Sequence, residues 1–284
     1  MQHLYQSFVI KIIFTRANSL ENAISNVVEV ISPALAGFLI SIIGIKYVFA
    51  FDSLTYFLAA YLIWRFVRVR RDIYTKVQNV GSSFKNYWNS IKSGFIFSAK
   101  NETVRFFLLL EFLISLVGGM INIYLMYFVL DVLKGSVREF GIMSSISALS
   151  TIVGSLIVGN IAENLSKPTM YSVSILFLGI TFSFFYFIDH VYLMYPVFFV
   201  IGFLNSILQI SFMSGIQKRI DERYHGRIFS LYTSLNTLSS SFSFIIGGII
   251  SEKIGLRSMY LFSGLALVII AILGFSYKKE IKIT

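Results

Sequence analysis

The sequence contains no cysteine in 284 residues, which removes disulfide frameworks, thiolate metal sites and a cysteine nucleophile. Histidine is scarce as well: His3, His190 and His225 stand far apart and give no metal cluster. Charged residues make up only 13% of the chain, about half the share of a soluble domain. No H-E-x-x-H, P-loop or paired aspartates occur, nor a Ser-His-Asp set sharing a plausible face. An enzyme is therefore not indicated, no cofactor is called for, and the missing nucleotide-binding motif argues against ATP-driven pumping by this chain. Acidic residues are the scarcer charge, 14 against 24 Lys and Arg, for a net charge of +10. In a soluble protein that surplus would point to nucleic acid. Here long apolar runs argue against such a partner, because basic charge beside membrane spans has a topological explanation.

Hydrophobic residues make up 56% of the chain, with 29 Phe and 16 Tyr, and the mean hydropathy is +0.76. A bilayer core needs about 20 mostly apolar residues in helical form. Eight stretches qualify, at 20–43, 47–66, 104–130, 139–162, 169–188, 191–214, 228–251 and 257–276. Since backbone polar groups in lipid must be satisfied within the segment, these runs are expected as helices. The fold class is thus an all-α integral membrane protein with eight transmembrane helices, and the lipid bilayer is its first partner. The first fifteen residues are too short and polar to span and lack a signal-peptide cleavage pattern. They read as the tail of a helix that begins upstream.

Of the 24 Lys and Arg residues, 19 fall on the side carrying the 66–103 linker and the C-terminus. The other side has Lys46, Lys134, Arg138, Lys253 and Arg257. The positive-inside rule then makes the linker and C-terminus cytoplasmic; a plasma membrane is the expected location because no eukaryotic-style targeting segment is seen. Within the linker, Phe84, Trp88, Ile91 and Phe95 fall at i, i+4, i+7 and i+11. That is an amphipathic helix, either on the membrane surface or against cytoplasmic loops.

Residues 16–66 align without gaps on 227–277 at an offset of 211, with 11 identities in 51 positions. The shared punctuation is a basic residue (Arg16, Arg227), Ser-Leu at the helix start, a mid-helix glycine (Gly37, Gly248) and a glycine turn (Gly44, Gly255). Both pairs start on the same side, so the repeat is parallel. The second copy has four helices before its final pair and the first has almost none. By projection roughly 105–110 residues, about four helices, are expected before Met1. The chain then divides into a remnant of an N-terminal half (1–66), a cytoplasmic linker (67–103) and a six-helix C-terminal half (104–284).

Two segments carry a family resemblance: Arg16-Ala17-Asn18-Ser19-Leu20 and His225-Gly226-Arg227-Ile228-Phe229-Ser230-Leu231. The second is similar to an R-G-R-V-x-S signature, with His225 where Arg is usual. Between them, Gly159 to Lys167 is similar to a degraded G-x-x-x-D-R-x-G-R/K loop motif, with Glu163 in place of the acid and Asn164 and Ser166 departing from the pattern. Ser32-Pro33-Ala34-Leu35-Ala36-Gly37 is similar to a degraded G-P-x-x-G-G exporter motif. On these the chain resembles the major facilitator superfamily, in its macrolide-efflux and enterobactin-exporter-like branch, over family helices five to twelve. The resemblance implies gating-loop roles for Gly159, Glu163, Lys167 and Arg227, with the departures weakening the loop motif.

Ionisable groups within spans are costly and are treated as functional candidates. Glu29 lies near the middle of the first span, with Asn18 and Asn22 on its face and Asn26 close by. The repeat copy carries Thr233, Thr237 and Ser240 at the places of Asn22, Asn26 and Glu29. This stripe either walls a water-accessible cavity or bonds between packed helices. Glu111, Ser115, Gly118 and Asn122 fall at i, i+4, i+7 and i+11. Glu111 is the second protonation candidate, or else a carboxylate near the interface. Gly202, Asn205 and Gln209 share a face, and Asn122, Asn205 and Gln209 are cavity candidates alongside Asn22 and Asn26. Asp52 reads as a helix-entry or interface-anchoring residue, and Pro33 predicts a kink. Gly118-Gly119, Gly154 with Gly159, and Gly247-Gly248 read as close-packing positions.

The expected function is a secondary transporter, a proton-coupled exporter of amphipathic or hydrophobic small molecules working by alternating access. The competing expectation is a non-transporting fragment or scaffold that needs another polypeptide to supply four helices.

Overall fold

A computed structural model describes residues 28, 31–32, 35–36, 38–40, 42–66, 95–161, 165–217, 220 and 222–278. Its helices are α1 (Ile45–Phe66), α2 (Glu102–Tyr127), α3 (Val137–Ile161), α4 (Lys167–Phe184), α5 (Met194–Gln217), α6 (Glu222–Ile254) and α7 (Leu256–Lys278). A π-helical turn, Phe128–Val132, extends α2, and short 3-10 turns lie at Phe185–Phe187 and Val191–Leu193. The described residues among 28–43 are helical too, as are 95–100; no strand occurs among the described residues. Glu29, Asn22, Asn26, Glu163 and the linker positions Phe84, Trp88 and Ile91 lie outside the described residues.

Local chemistry fixes the helix starts. Asn101 accepts from the Val104 amide at 3.1 Å to cap α2. Ser136 and Glu139 form a reciprocal capping box before α3: the Ser136 amide donates to Glu139 at 2.7 Å and the Glu139 amide donates to Ser136 Oγ at 3.2 Å. Pro168 sits in the first turn of α4, where its missing N–H costs nothing. Asp52 lies about two turns inside α1, which begins at Ile45.

Six of the described helices are long and apolar enough to cross a membrane. The 33-residue α6 is longer still but more polar, and is not among the six. Ser, Thr and Asn fill nine of its positions between 230 and 243, and several of these meet α2 and the cleft described below.

The contacts run in a horseshoe: α3 packs on α5, α5 on α4, α4 on α7, α7 on α2 and α2 on α6. Buried aromatic rings fill its wall. Phe107 of α2 meets Tyr171 and Phe212 edge-on at 5.2 and 5.9 Å, and Phe128 meets Tyr260 at 5.0 Å. Tyr260 satisfies its buried hydroxyl by donating to the Ile121 carbonyl at 2.8 Å, which pins α7 to α2. Small residues set the closest helix approaches. A Cβ on Gly202 would lie 2.0 Å from the Ser147 carbonyl oxygen, and one on Gly179 would lie 2.7 Å from the Gly264 carbonyl oxygen. Gly119, Gly154 and Gly247 are similarly crowded, by Ser243, Ser206 and Met120 respectively. Gly118 and Gly159 have open space instead, so they are not packing positions.

α1 buries none of its residues. Its junction nonetheless repeats that of α6 and α7. Gly44 has φ +80° and Gly255, 211 positions on, has φ +79°. Each donates its N–H to the carbonyl four residues back, at 3.1 and 3.0 Å, and accepts from the amide four residues ahead, at 3.3 and 3.1 Å. Only glycine takes that left-handed conformation without steric cost. The offset read in the sequence thus corresponds to one turn built twice.

Candidate functional site

Inside the horseshoe lies a cleft of about 660 Å³ walled by α2, α3, α5 and α6, with Tyr171 of α4 at its back. The expected ladder on α2 faces it as a unit: Glu111, Ser115, Gly118 and Asn122 all line it. Asn205 and Gln209 of α5 line it too, but Gly202 turns against Ser147 of α3, so the three do not share one environment. Ser144, Ser147 and Thr151 supply a hydroxyl-bearing wall from α3.

Glu111 sits nine residues into α2, roughly 13 Å along its axis at 1.5 Å per residue. It is half-buried, and it joins three helices. Tyr171 of α4 donates its hydroxyl to Glu111 Oε2, and Asn236 Nδ2 of α6 donates to Oε1 at 3.1 Å. Tyr232, one turn before Asn236, lines the cleft on the same face of α6. A carboxylate is acceptor-only when ionised, and Tyr171 and Asn236 each donate to one of its oxygens. Glu111 therefore lines the cleft.

Sequence reasoning missed Tyr171, Tyr232 and Asn236. On α6 the face turned to the cleft is Tyr232, Asn236, Ser240 and Phe244, at i, i+4, i+8 and i+12. Of the expected stripe only Ser240 is on it. Thr233 and Thr237 lie on the adjacent face, exposed, with the Thr233 hydroxyl returned to the Phe229 carbonyl. The four-residue periodicity was available in the sequence; the rotation of α6 was not.

Of the gating candidates, Gly159 lies near the end of α3 and Lys167 begins α4, so they flank one short connection. Arg227 is in the first turns of α6, its guanidinium 5.7 Å from the Tyr224 ring centroid. None of the three lines the cleft. Among the described residues no three His, Cys, Asp or Glu side chains gather as metal ligands would.

Six described helices long and apolar enough to cross a membrane, with a polar and aromatic cleft that holds one carboxylate among its described lining residues, are the features of a multi-pass membrane protein. The family model of the Major Facilitator Superfamily matches residues 107–282, and the chain belongs to that family of transporters, not of enzymes. It is 23% identical over 265 residues to macrolide efflux protein A of Streptococcus pyogenes, covering 91% of this chain and 63% of the relative. It is 24% identical over 282 residues to an uncharacterised MFS-type transporter, YfiS, of Bacillus subtilis, covering 93% and 64%. The chain thus spans just under two thirds of the length of the curated relatives it matches.

Proposed function

We propose that this chain works as a proton-coupled secondary transporter that exports amphipathic or hydrophobic small molecules by alternating access. The observation that carries the reading is Glu111, held between α2, α4 and α6 in a cleft of mixed polar and aromatic lining. A carboxylate within a span is costly unless it pairs or takes up a proton. Here, protonation would remove an acceptor from Tyr171 or Asn236 and so bias the packing of three helices at once. Asn122, Asn205, Gln209 and Ser240 are the proposed polar contacts for substrate. The name of the streptococcal relative, macrolide efflux protein A, supports an efflux direction. Glu29, Asn22 and Asn26 are proposed as the matching stripe on the helix before α1, on the strength of the 211-residue repeat.

The membrane is proposed to be a plasma membrane, with the 67–103 linker and the C-terminus cytoplasmic, on the Lys and Arg asymmetry. The cleft's lining comes from α2 to α6, with nothing from α1. In the proposed cycle its facing wall comes from residues outside the described ones or from a partner polypeptide, the two halves rocking about a midplane site. The test is export from proteoliposomes under an imposed pH gradient. Glu111→Gln is expected to abolish gradient-driven export while the protein stays folded. Unchanged export by that variant would overturn the proton assignment.

A further inference from the structure

α3 and α4 follow one another through the short connection 162–166, yet they do not form a packed pair; each packs on α5 instead. The splay leaves a second cavity behind the cleft, of about 730 Å³, with α3 and α4 as its walls and α5 as its floor. That volume lies within the range of about 300–1,000 Å³ usual for small-molecule sites. The walls are held apart by contacts on their far sides. The Ser150 and Thr151 hydroxyls of α3 donate to the Phe199 and Gly202 carbonyls of α5, and Gly179 of α4 lies against Gly264 of α7. Side chains left facing an unfilled slot would forfeit their dispersion contacts.

The chemistry of the slot changes along its length. None of its described lining residues is charged. Its depth is hydrocarbon, from Val173 and Phe177 of α4 to Phe203 and Leu204 of α5, and the Ser174 hydroxyl there is returned to the Met170 carbonyl at 2.9 Å. Ser166 and Thr169 line the end nearest the connection, about 12 Å from Phe177 at 1.5 Å per residue along α4. Lys167, partly exposed, begins α4 at that same end. A basic side chain at the end of a span attracts anionic head groups. Ile157 and Phe177, each about half-exposed, edge the opening. Since α3, α4 and α5 are all long and apolar enough to cross a membrane, that opening faces lipid.

We propose that the slot holds one acyl chain of an anionic phospholipid, the chain lying along Val173 and Phe177 and the phosphate at the Lys167 end. Polar head and apolar chain then follow the order in which α4 presents a cation, hydroxyls and hydrocarbon. The site is separate from the cleft, and α5 serves both. It turns Asn205 and Gln209 to the cleft and Phe203, Leu204 and Ile207 to the slot, so a seated chain backs the helix that carries two cleft amides. Proton coupling and cargo do not enter the argument, so either reading can fail without the other.

The test uses the full chain purified in detergent, with Trp64→Phe and Trp88→Phe removing both natural tryptophans. Phe177→Trp is the reporter in the slot, and Ile269→Trp, on the exposed face of α7, is the control. Each is titrated with phosphatidylglycerol carrying dibrominated chains, whose bromines quench tryptophan on contact. Quenching at 177 is expected to saturate at about tenfold lower lipid than at 269. Dibrominated phosphatidylcholine should bind the slot about fivefold more weakly, as one lysine beside a membrane surface implies. Lys167→Gln should erase that head-group difference while the chain still quenches. Val173→Phe, which fills the slot, should weaken quenching at 177 severalfold and leave 269 unchanged. Equal saturation at 177 and 269 would mean an unselective lipid shell and overturns the proposal. So does equal binding of the two head groups, or dibromostearate quenching 177 as tightly as the phosphatidylglycerol. No quenching at 177 would mean that the protein's own residues fill the slot, which also overturns it. If Phe177→Trp does not fold, Phe203→Trp on the floor takes its place as reporter, with the same outcomes.

Discussion

Glu111 of α2 and Asn236 of α6 are 125 positions apart in the chain and meet at 3.1 Å across the cleft, while Tyr171 of α4 holds the other carboxylate oxygen. One side chain therefore reports on the relative placement of three helices. Such a junction stabilises one arrangement only while its acceptor capacity is intact, which makes the carboxylate suited to coupling a change of charge to a change of packing.

Tyr171→Phe isolates the hydrogen bond from the ring. The ring keeps its edge-on contact with Phe107 at 5.2 Å, and only the donor is lost. Hydrogen bonds between membrane helices contribute about 0.6 kcal/mol on average, so melting in detergent is expected to shift only slightly. Export driven by a pH gradient is expected to fall severalfold. In a double-mutant cycle on initial export rates, Tyr171→Phe should add nothing to Glu111→Gln. Additive losses would show that Tyr171 acts apart from the carboxylate.

Gly118 and Gly119 are neighbours with opposite demands. A Cβ on Gly118 meets nothing within 4 Å, whereas one on Gly119 would lie 2.7 Å from Ser243 Cβ and 2.9 Å from the Ser240 carbonyl oxygen. Ser243 is itself fixed, accepting from the Met120 amide at 2.9 Å and donating to the Leu116 carbonyl. Gly118→Ala is expected to be neutral or to stabilise by up to about 1 kcal/mol through helix propensity. Gly119→Ala must separate α2 from α6 and should cost about 1–3 kcal/mol. Thermal melts of the two variants in one detergent check the contrast, and equal shifts would contradict it.

Much of this was legible in the chain itself. The α2 ladder lands in the cleft because a single helix with one polar face leaves no choice of rotation. The Ser136–Glu139 pair at the start of α3 and the glycine turns at 44 and 255 follow from local chemistry, which needs no tertiary partner. What the sequence could not settle was which of two adjacent polar faces of α6 turns inward. Thr233 and Thr237 compete there with Asn236, and only packing against α2 decides. Tyr171 and Tyr232 were hidden for a related reason: among 16 tyrosines in an apolar chain, a hydroxyl becomes informative only once a carboxylate is found beside it. The crowding that separates Gly119 from Gly118 is likewise a property of the neighbouring helix.

Arg257 at the start of α7 pairs with Asp189 at 2.9 Å and donates to the Tyr186 carbonyl at 3.0 Å. Asp189 is 74% exposed, so its charge is well screened. Asp189→Ala is therefore expected to change stability by less than about 1 kcal/mol, and by less still at high salt. Arg257→Ala should cost more, since the Tyr186 carbonyl loses its partner and the guanidinium stem its packing. Melts of both single variants and the double variant, at low and high salt, give the coupling directly. A salt-independent coupling above that range would mean the pair is shielded from solvent.

Gly44 and Gly255 offer the sharpest test of the repeat as a physical rather than a textual likeness. Neither has an atom within 4 Å of where a Cβ would sit, so crowding is not the issue at either position. Both hold φ near +80°, where an L side chain crowds its own backbone at about 1–2 kcal/mol per residue. Gly44→Ala and Gly255→Ala are expected to destabilise by similar amounts within that range. Asn, which tolerates the left-handed region better, should recover part of the loss at both. The comparison is made by melts of the four variants in the same detergent. If Gly255→Ala is costly while Gly44→Ala is neutral, the first turn relaxes freely, and the two helix pairs share a sequence pattern without sharing a constraint. Matched losses with matched recovery by Asn would mean that both pairs depend on the same left-handed turn.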